Sequence, residues 1–221
     1  MCKKEIIKAA RLPVTVCSHN HAGTGRPENG CSIIVLTGIR FKDRDLLDLA
    51  FVHASYVNEH KGEKSDHNER LEFLGDAVLQ LVTTEFLFSS FPELSEGELT
   101  TYRASVVKGQ HLAEIGKELE LGRYLYLSRG EEKGGGRQKS FLLANTIESF
   151  IGALYLDQGF EVSKKFIKKF ILKRLGDILK KGLHLDSKTE FQELSQEKFS
   201  VTPRYRIISE SGPAHKKIFT V

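Results

Sequence analysis

Hydrophobic and polar positions follow a helical period through most of the 221-residue chain. From Phe41, the stretch DRDLLDLAFVHASYVNE sets Leu46, Leu49, Ala50, His53 and Val57 on one face and predicts a helix. Polar KGEKSDH follows, with Asp66 or Asn68 as the N-cap of a longer helix. That helix begins at NERLEFLGDAVLQL and runs through TTEFLFSS to a break near Pro92. Next, LSEGELTTYRASVVKGQHLAEIGKELEL keeps Leu99, Tyr102, Val106, Leu112, Ile115 and Leu119 at helical spacing. Ser95 and Glu98 are spaced as a capping box, and Gly109 and Gly116 loosen the interior. SRGEEKGGGRQK, residues 128–139, lacks the spacing of a phosphate-binding loop and reads as a flexible Gly-rich connector.

SFLLANTIESFIGALYLDQGF is apolar nearly all round, which predicts a buried helix. SKKFIKKFILKRLGDILKK, residues 163–181, is basic and amphipathic, with Phe166, Phe170 and Ile171 toward the core. After Gly182 come a helix, SKTEFQELSQEKF, a strand, RYRIISES, and a second strand, IFTV. The pattern divides the chain into a variable extension over 1–36, a helical domain over 37–182 and a small module over 186–221. The extension carries a short helix at 3–11 and a loop, SHNHAGTGRPENG. Its Cys17, His19, His21 and Cys31 match no standard zinc-finger spacing.

Certain polar positions break the pattern. Glu69, Glu72 and Asp76 stand at i, i+3 and i+7, within roughly a 60° arc of one helix face. A solvated acidic stripe is the ordinary reading, but Glu72 and Asp76 form a like-charge i,i+4 pair that weakens a helix unless a cation sits between them. Both readings stand at this level. Asn145 and Glu148 share a face of the apolar helix, where a glutamate must be neutralised, hydrogen-bonded or paired with a cation. Gly75 and Gly152 lie inside the two helices, where each glycine costs about 1 kcal/mol against alanine. A close crossing at these glycines would justify both and bring Glu69, Glu72, Asp76, Asn145 and Glu148 to one polar site. His53, alone on an apolar face, reads first as a core histidine.

Composition narrows the setting. Hydrophobic residues make up 40% of the chain, as in a globular protein. No apolar run reaches the roughly 18 residues that a membrane span needs, and the cysteines are confined to the first 31 residues. A cytoplasmic protein without a disulfide framework is expected. Residues 1–160 carry a net charge of −3 and residues 161–221 a net +7. An acidic body with a basic tail suits a protein that gathers metal ions in one part and holds a polyanion with another.

With these residues in view, NERLEFLGDAVL resembles the signature of bacterial ribonuclease III. GIRFKDRDLLDLAFVHASYVNEH, EGELT…RASVV, GEEKGGGR and ANTIESFIGALYLDQGF extend the resemblance over about residues 38–160. DSKTEFQELSQ…PRYRIISESGPAHKKIF resembles the start of a double-stranded-RNA-binding domain. The resemblance implies a mainly α fold: an all-helical nuclease domain followed by the beginning of an α-β-β-β-α RNA-binding domain. It implies a homodimeric, metal-dependent endonuclease on double-stranded RNA. The implied products carry 5′-phosphates, 3′-hydroxyls and short 3′ overhangs, and the implied role is ribosomal and messenger RNA processing.

Carried onto this chain, the resemblance places Glu72, Asp76, Asn145 and Glu148 as metal ligands. Asp76 and Glu148 are also catalytic, Glu69 and Glu96 are supporting acids, and Phe73 is a dimer contact. Gln192, Glu193, Pro213 and His215 match RNA contacts. Carboxylate oxygens suit Mg²⁺, with Mn²⁺ as a substitute. Two departures stand out. Asn145 occupies a position where the family carries a metal-ligating Asp, which raises the alternative of a weakened or inactive RNA-binding or ribosome-associated relative. The sequence also stops at Val221, inside the second strand of the module, so a truncated RNA-binding domain is expected. A hydrolase of small phosphoesters fits the basic tail less well.

Overall fold

The structure, a computed structural model, describes residues 36–60, 66–180, 187–212 and 217–220. The expected helix at 3–11, the Cys17, His19, His21 and Cys31 set, and Pro213 and His215 lie outside the described residues. Ten α-helices and one strand pair are described: α1 (Arg44–Leu49), α2 (Ala54–Glu59), α3 (Glu69–Ser90), α4 (Glu96–Val106), α5 (Gly109–Glu118), α6 (Arg129–Lys133), α7 (Ser140–Gln158), α8 (Phe160–Phe170), α9 (Leu175–Lys180), α10 (Ser187–Phe199), β1 (Ser209–Ser211) and β2 (Ile218–Thr220). Among the described residues no helix is long and apolar enough to cross a membrane.

Helix α7 is the axis of the domain and packs chiefly against α3 and α5. Its all-round apolar character has the expected result, with Leu143, Ile147, Phe150, Ile151 and Leu154 all buried. Phe150 lies at the centre of an aromatic group, 5.4 Å from Phe41, 6.4 Å from Phe51 and 5.1 Å from Phe166 between ring centroids. Such tilted pairs add about 0.5–1.5 kcal/mol each beyond the area they bury. The capping box forms at α4, where the Ser95 hydroxyl accepts from the Glu98 N–H and the Glu98 carboxylate accepts from the Ser95 N–H.

Three segments differ from the periodic reading. The single helix expected over DRDLLDLAFVHASYVNE is two, α1 and α2, because the chain between them pairs elsewhere. Val52 and Tyr126 form a parallel bridge, the Tyr126 N–H donates to the Phe51 carbonyl at 2.9 Å, and the Asn68 N–H donates to the Val52 carbonyl at 2.9 Å. The basic helix expected over 163–181 is α8, a 3-10 turn at Leu172–Arg174 and α9.

Residues 128–139 are an ordered clamp rather than a flexible connector. They hold α6 and a 3-10 turn at Gly136–Gln138. The Arg137 Nη1 group donates to the Gly122, Arg123 and Leu125 carbonyls at 2.9, 3.3 and 2.9 Å, and its Nε donates to Glu132 at 2.8 Å. Lys139 closes the loop onto Glu131.

The C-terminal module has α10 followed by an antiparallel pair, with Ser209 opposite Thr220 and Ser211 opposite Ile218. Its first strand, Ser209–Ser211, is shorter than RYRIISES predicts. Phe191, Phe199, Ile207, Ile208 and Phe219 are exposed, so this module buries little of its apolar surface.

Candidate nuclease site

The site forms where α3 crosses α7, and two glycines set the separation. A Cβ on Gly75 would overlap the Glu148 carbonyl oxygen and lie 2.8 Å from the Gly152 nitrogen. A Cβ on Gly152 would overlap the Leu71 carbonyl oxygen and lie 3.1 Å from the Gly75 nitrogen. The helices therefore meet backbone against backbone. Their polar faces converge beside this contact, as the paired glycines predict.

Glu148 is half-buried, and burial raises its pKa to about 7, with the Asp76 and Glu72 charges pushing the same way. Burial also raises Glu72, and the Glu69 charge adds to it; a hydrogen bond from the Asn145 amide opposes them, and Asp76 raises it further. Five of the sequence-derived residues thus share one electrostatic neighbourhood: Glu69, Glu72, Asp76, Asn145 and Glu148. Asp76 also accepts from Gln80 Nε2, at 3.2 and 3.1 Å to its two oxygens.

Among the described residues no cation is paired with Glu72, Asp76 or Glu148. No three His, Cys, Asp or Glu side chains are drawn together tightly enough to hold a metal ion as they stand. The donor set itself, three carboxylates and one amide oxygen, fits a hard divalent cation.

The other sequence-derived residues lie elsewhere. Glu96 sits in the first turn of α4, accepts from the Thr100 hydroxyl at 3.0 Å and is not among the charges that act on Glu72 or Glu148. Phe73, one residue from Glu72, is 82% exposed. Gln192 is exposed on α10, and Glu193 falls on the same helix.

A cleft adjoins the acids on the Glu72 side. His53, Asn68, Glu69, Glu72, Leu125, Leu142, Asn145 and Thr146 line it. The periodic reading placed His53 on a helix face, but it is the N-cap of α2, and its Nδ1 accepts from the Ser55 N–H at 3.2 Å. Burial lowers its pKa, although the Glu131 and Glu69 charges oppose this. Asn68 is buried, makes no side-chain cap bond and donates from Nδ2 to the Ala50 carbonyl at 3.3 Å. No local sequence signal marks His53 as a cap, because the break before α2 comes from the pairing of Val52 with Tyr126.

Comparison with known proteins decides the family. A family model described as ribonuclease-III-like matches residues 43–175, more than half of the chain and all of the acidic site. The chain belongs to the ribonuclease III family. Its membership makes it an endoribonuclease. Ribonuclease 3 of Enterococcus faecalis is 48% identical over 182 residues, spanning 82% of this chain and 79% of that relative. Ribonuclease 3 of Streptococcus gordonii is 46% identical over 186 residues, 83% of this chain and 79% of its own. The crystal structure of the ribonuclease III nuclease domain from Campylobacter jejuni is 39% identical with a TM-score of 0.61, covering 67% of this chain and 97% of that one. A second structure of that domain, described by flexibility in a region involved in dimer formation, is 40% identical with a TM-score of 0.60, covering 64% of this chain and 95% of its own. The all-helical nuclease domain expected from the sequence is the ribonuclease III fold.

Proposed function

We propose that the protein is a metal-dependent endonuclease that hydrolyses phosphodiester bonds in double-stranded RNA. The products would carry 5′-phosphate and 3′-hydroxyl ends with short 3′ overhangs, in ribosomal and messenger RNA processing in the cytoplasm. The observation that carries this reading is the glycine crossing, which sets Glu148 beside Glu72 and Asp76 with no cation to neutralise them. Glu72, Asp76, Glu148 and the Asn145 amide oxygen would hold Mg²⁺, or Mn²⁺ in its place. Such an ion supplies charge for the phosphate oxygens and a water of lowered pKa. The side chains do the rest. Burial raises the Glu148 carboxyl to about 7, so metal binding there would compete with its proton. Asn145 hydrogen-bonds Glu72, and Glu69 lines the cleft beside it.

A second copy of the chain completes the proposed enzyme. Phe73, Leu81 and Phe88 are 82%, 58% and 73% exposed at spacings of eight and seven along α3. An apolar stripe of this kind on a monomer marks an interaction surface. Phe73, next to Glu72, would seat in the partner subunit and bring two cleavage sites onto one duplex. Glu96, remote from the acids of its own protomer, is proposed as a supporting acid toward the substrate. The α10 helix with the β1–β2 pair is proposed as the beginning of a double-stranded-RNA-binding domain, in which Gln192, Glu193, Pro213 and His215 contact RNA.

Incubation with a long RNA duplex tests the reading. Short duplex products are expected with Mg²⁺ and none with EDTA. Binding without cleavage in Mg²⁺ and in Mn²⁺ would support the non-catalytic alternative that Asn145 raises. Neither binding nor cleavage would end both.

A further inference from the structure

We propose that His53 is a substrate-contact residue whose Nε2–H donates to a ribose 2′-hydroxyl of the cleaved strand, so that the cleft beside the acids distinguishes RNA from DNA. The inference rests on the duplex-RNA reading above and assigns a new residue to it.

The geometry fixes the imidazole tautomer. Nδ1 accepts from the Ser55 N–H at 3.2 Å, so it carries no proton. The Ser55 hydroxyl lies 2.8 Å from the same nitrogen and accepts the Ser128 N–H at 3.1 Å. With Nδ1 accepting from the Ser55 N–H, the ring proton is assigned to Nε2, the other ring nitrogen. Nε2 has no hydrogen-bond partner among the described residues and is not an atom closed off from solvent. The ring is also held in place, because the His53 N–H donates to the Tyr126 carbonyl at 3.2 Å and the neighbouring Val52 is bridged to Tyr126. His53 therefore offers a fixed, neutral donor on the wall of a cleft that it shares with Glu69 and Glu72.

The walls select what that donor meets. Glu69 and Glu72 repel a phosphate oxygen, and Leu125 and Leu142 offer no polar group in return. A neutral group that accepts from His53 and donates to a carboxylate satisfies both sides at once. On a duplex, the 2′-hydroxyl is both donor and acceptor, and A-form RNA displays it across a wide, shallow minor groove. DNA has no such group to offer. The cleft is small, with about 40 Å³ of room, enough for a hydroxyl rather than a whole sugar, and Glu72 and Asn145 form the wall it shares with the acidic centre. A 2′-hydroxyl reaching into the cleft would thus belong to a nucleotide next to the reacting phosphate.

The test pairs a residue change with a substrate change. His53→Asn keeps a good N-cap but has no donor at the Nε2 position. His53→Ser serves the same purpose should the first variant melt early. Duplexes carrying one 2′-deoxyribose at each position around the cleavage site are cleaved with Mg²⁺, and kcat/KM is compared. The unaltered protein should lose about three- to tenfold at one position, the worth of one ordinary hydrogen bond. A His53 variant with unchanged Tm should be slower by that factor on all-ribose duplex and indifferent to the deoxy substitution. A stable variant that keeps the full deoxy penalty, or an unaltered protein indifferent at every position, would overturn the proposal. Failure of the unaltered protein to cleave any duplex would instead overturn the nuclease reading beneath it.

Discussion

At the scale of residues, the acidic cluster is a balance between burial, which favours protons on its acids, and the cation that the proposed function would put in their place. The Glu148 carboxyl has a reference pKa of 4.5, and in the fold it sits at about 7. Between those values the folded protein keeps a proton that the unfolded chain has released. Stability of the metal-free protein should therefore fall as pH rises from about 4.5 to about 7, then level off. Thermal melting in EDTA across that range checks this, and Glu148→Gln should flatten the curve. A slope unchanged in Glu148→Gln would assign it to other groups. Asn145→Asp acts on the same balance. It adds a negative charge and removes the N–H that steadies Glu72, so the metal-free form should melt earlier. In return the Mg²⁺ needed for half-maximal cleavage should fall by roughly 10–100-fold. Coincident metal titrations would mean that the amide costs nothing. These acids were legible in the sequence, because i, i+3 and i+7 spacing fixes a helix face without tertiary information. The cleft role of His53 was not, because the break that makes it a cap comes from pairing with Tyr126, far along the chain.

At the scale of elements, glycine proved the most informative residue. Gly75 and Gly152 gain nothing as helix formers, and that deficit announced the crossing before any contact was known. Gly75→Ala should be far worse than propensity alone predicts, because its Cβ has nowhere to go. A loss of about 3 kcal/mol or more is expected, measured by denaturant unfolding. A loss of about 1 kcal/mol or less would mean that the helices separate freely. The 128–139 segment taught the reverse lesson. Its glycines and charges look like a flexible loop, yet the partners of Arg137 are the carbonyls of Gly122, Arg123 and Leu125, which no local pattern reveals. Periodicity also ran α1 into α2 and α8 into α9, since a buried turn can keep the apolar spacing of a helix while its backbone bonds elsewhere.

At the scale of the molecule, the body is a closed helical domain with one apolar stripe left open. If the proposed dimer forms through this stripe, Phe73→Ala should shift the protein toward monomer in sedimentation while leaving it folded, because an 82% exposed side chain contributes little to its own core. A variant that stays dimeric would place the subunit contact elsewhere. The all-helical fold was readable because nearly every core helix carries its own apolar face. The module over α10, β1 and β2 was readable in element order but not in strand length, since strand ends depend on pairing that only the assembled sheet provides.

The backbone contact at Gly75 and Gly152 carries one more consequence. Where two helices are spaced by side chains, each change in the core moves everything mounted on them. Here peptide atoms act as the spacer, and their size does not mutate. Neighbours such as Val78, Leu79 and Ile147 can exchange with other apolar residues over generations, altering how firmly the domain holds while the acids keep their distance. The spacing of the acids is in that sense decoupled from the drift of the core.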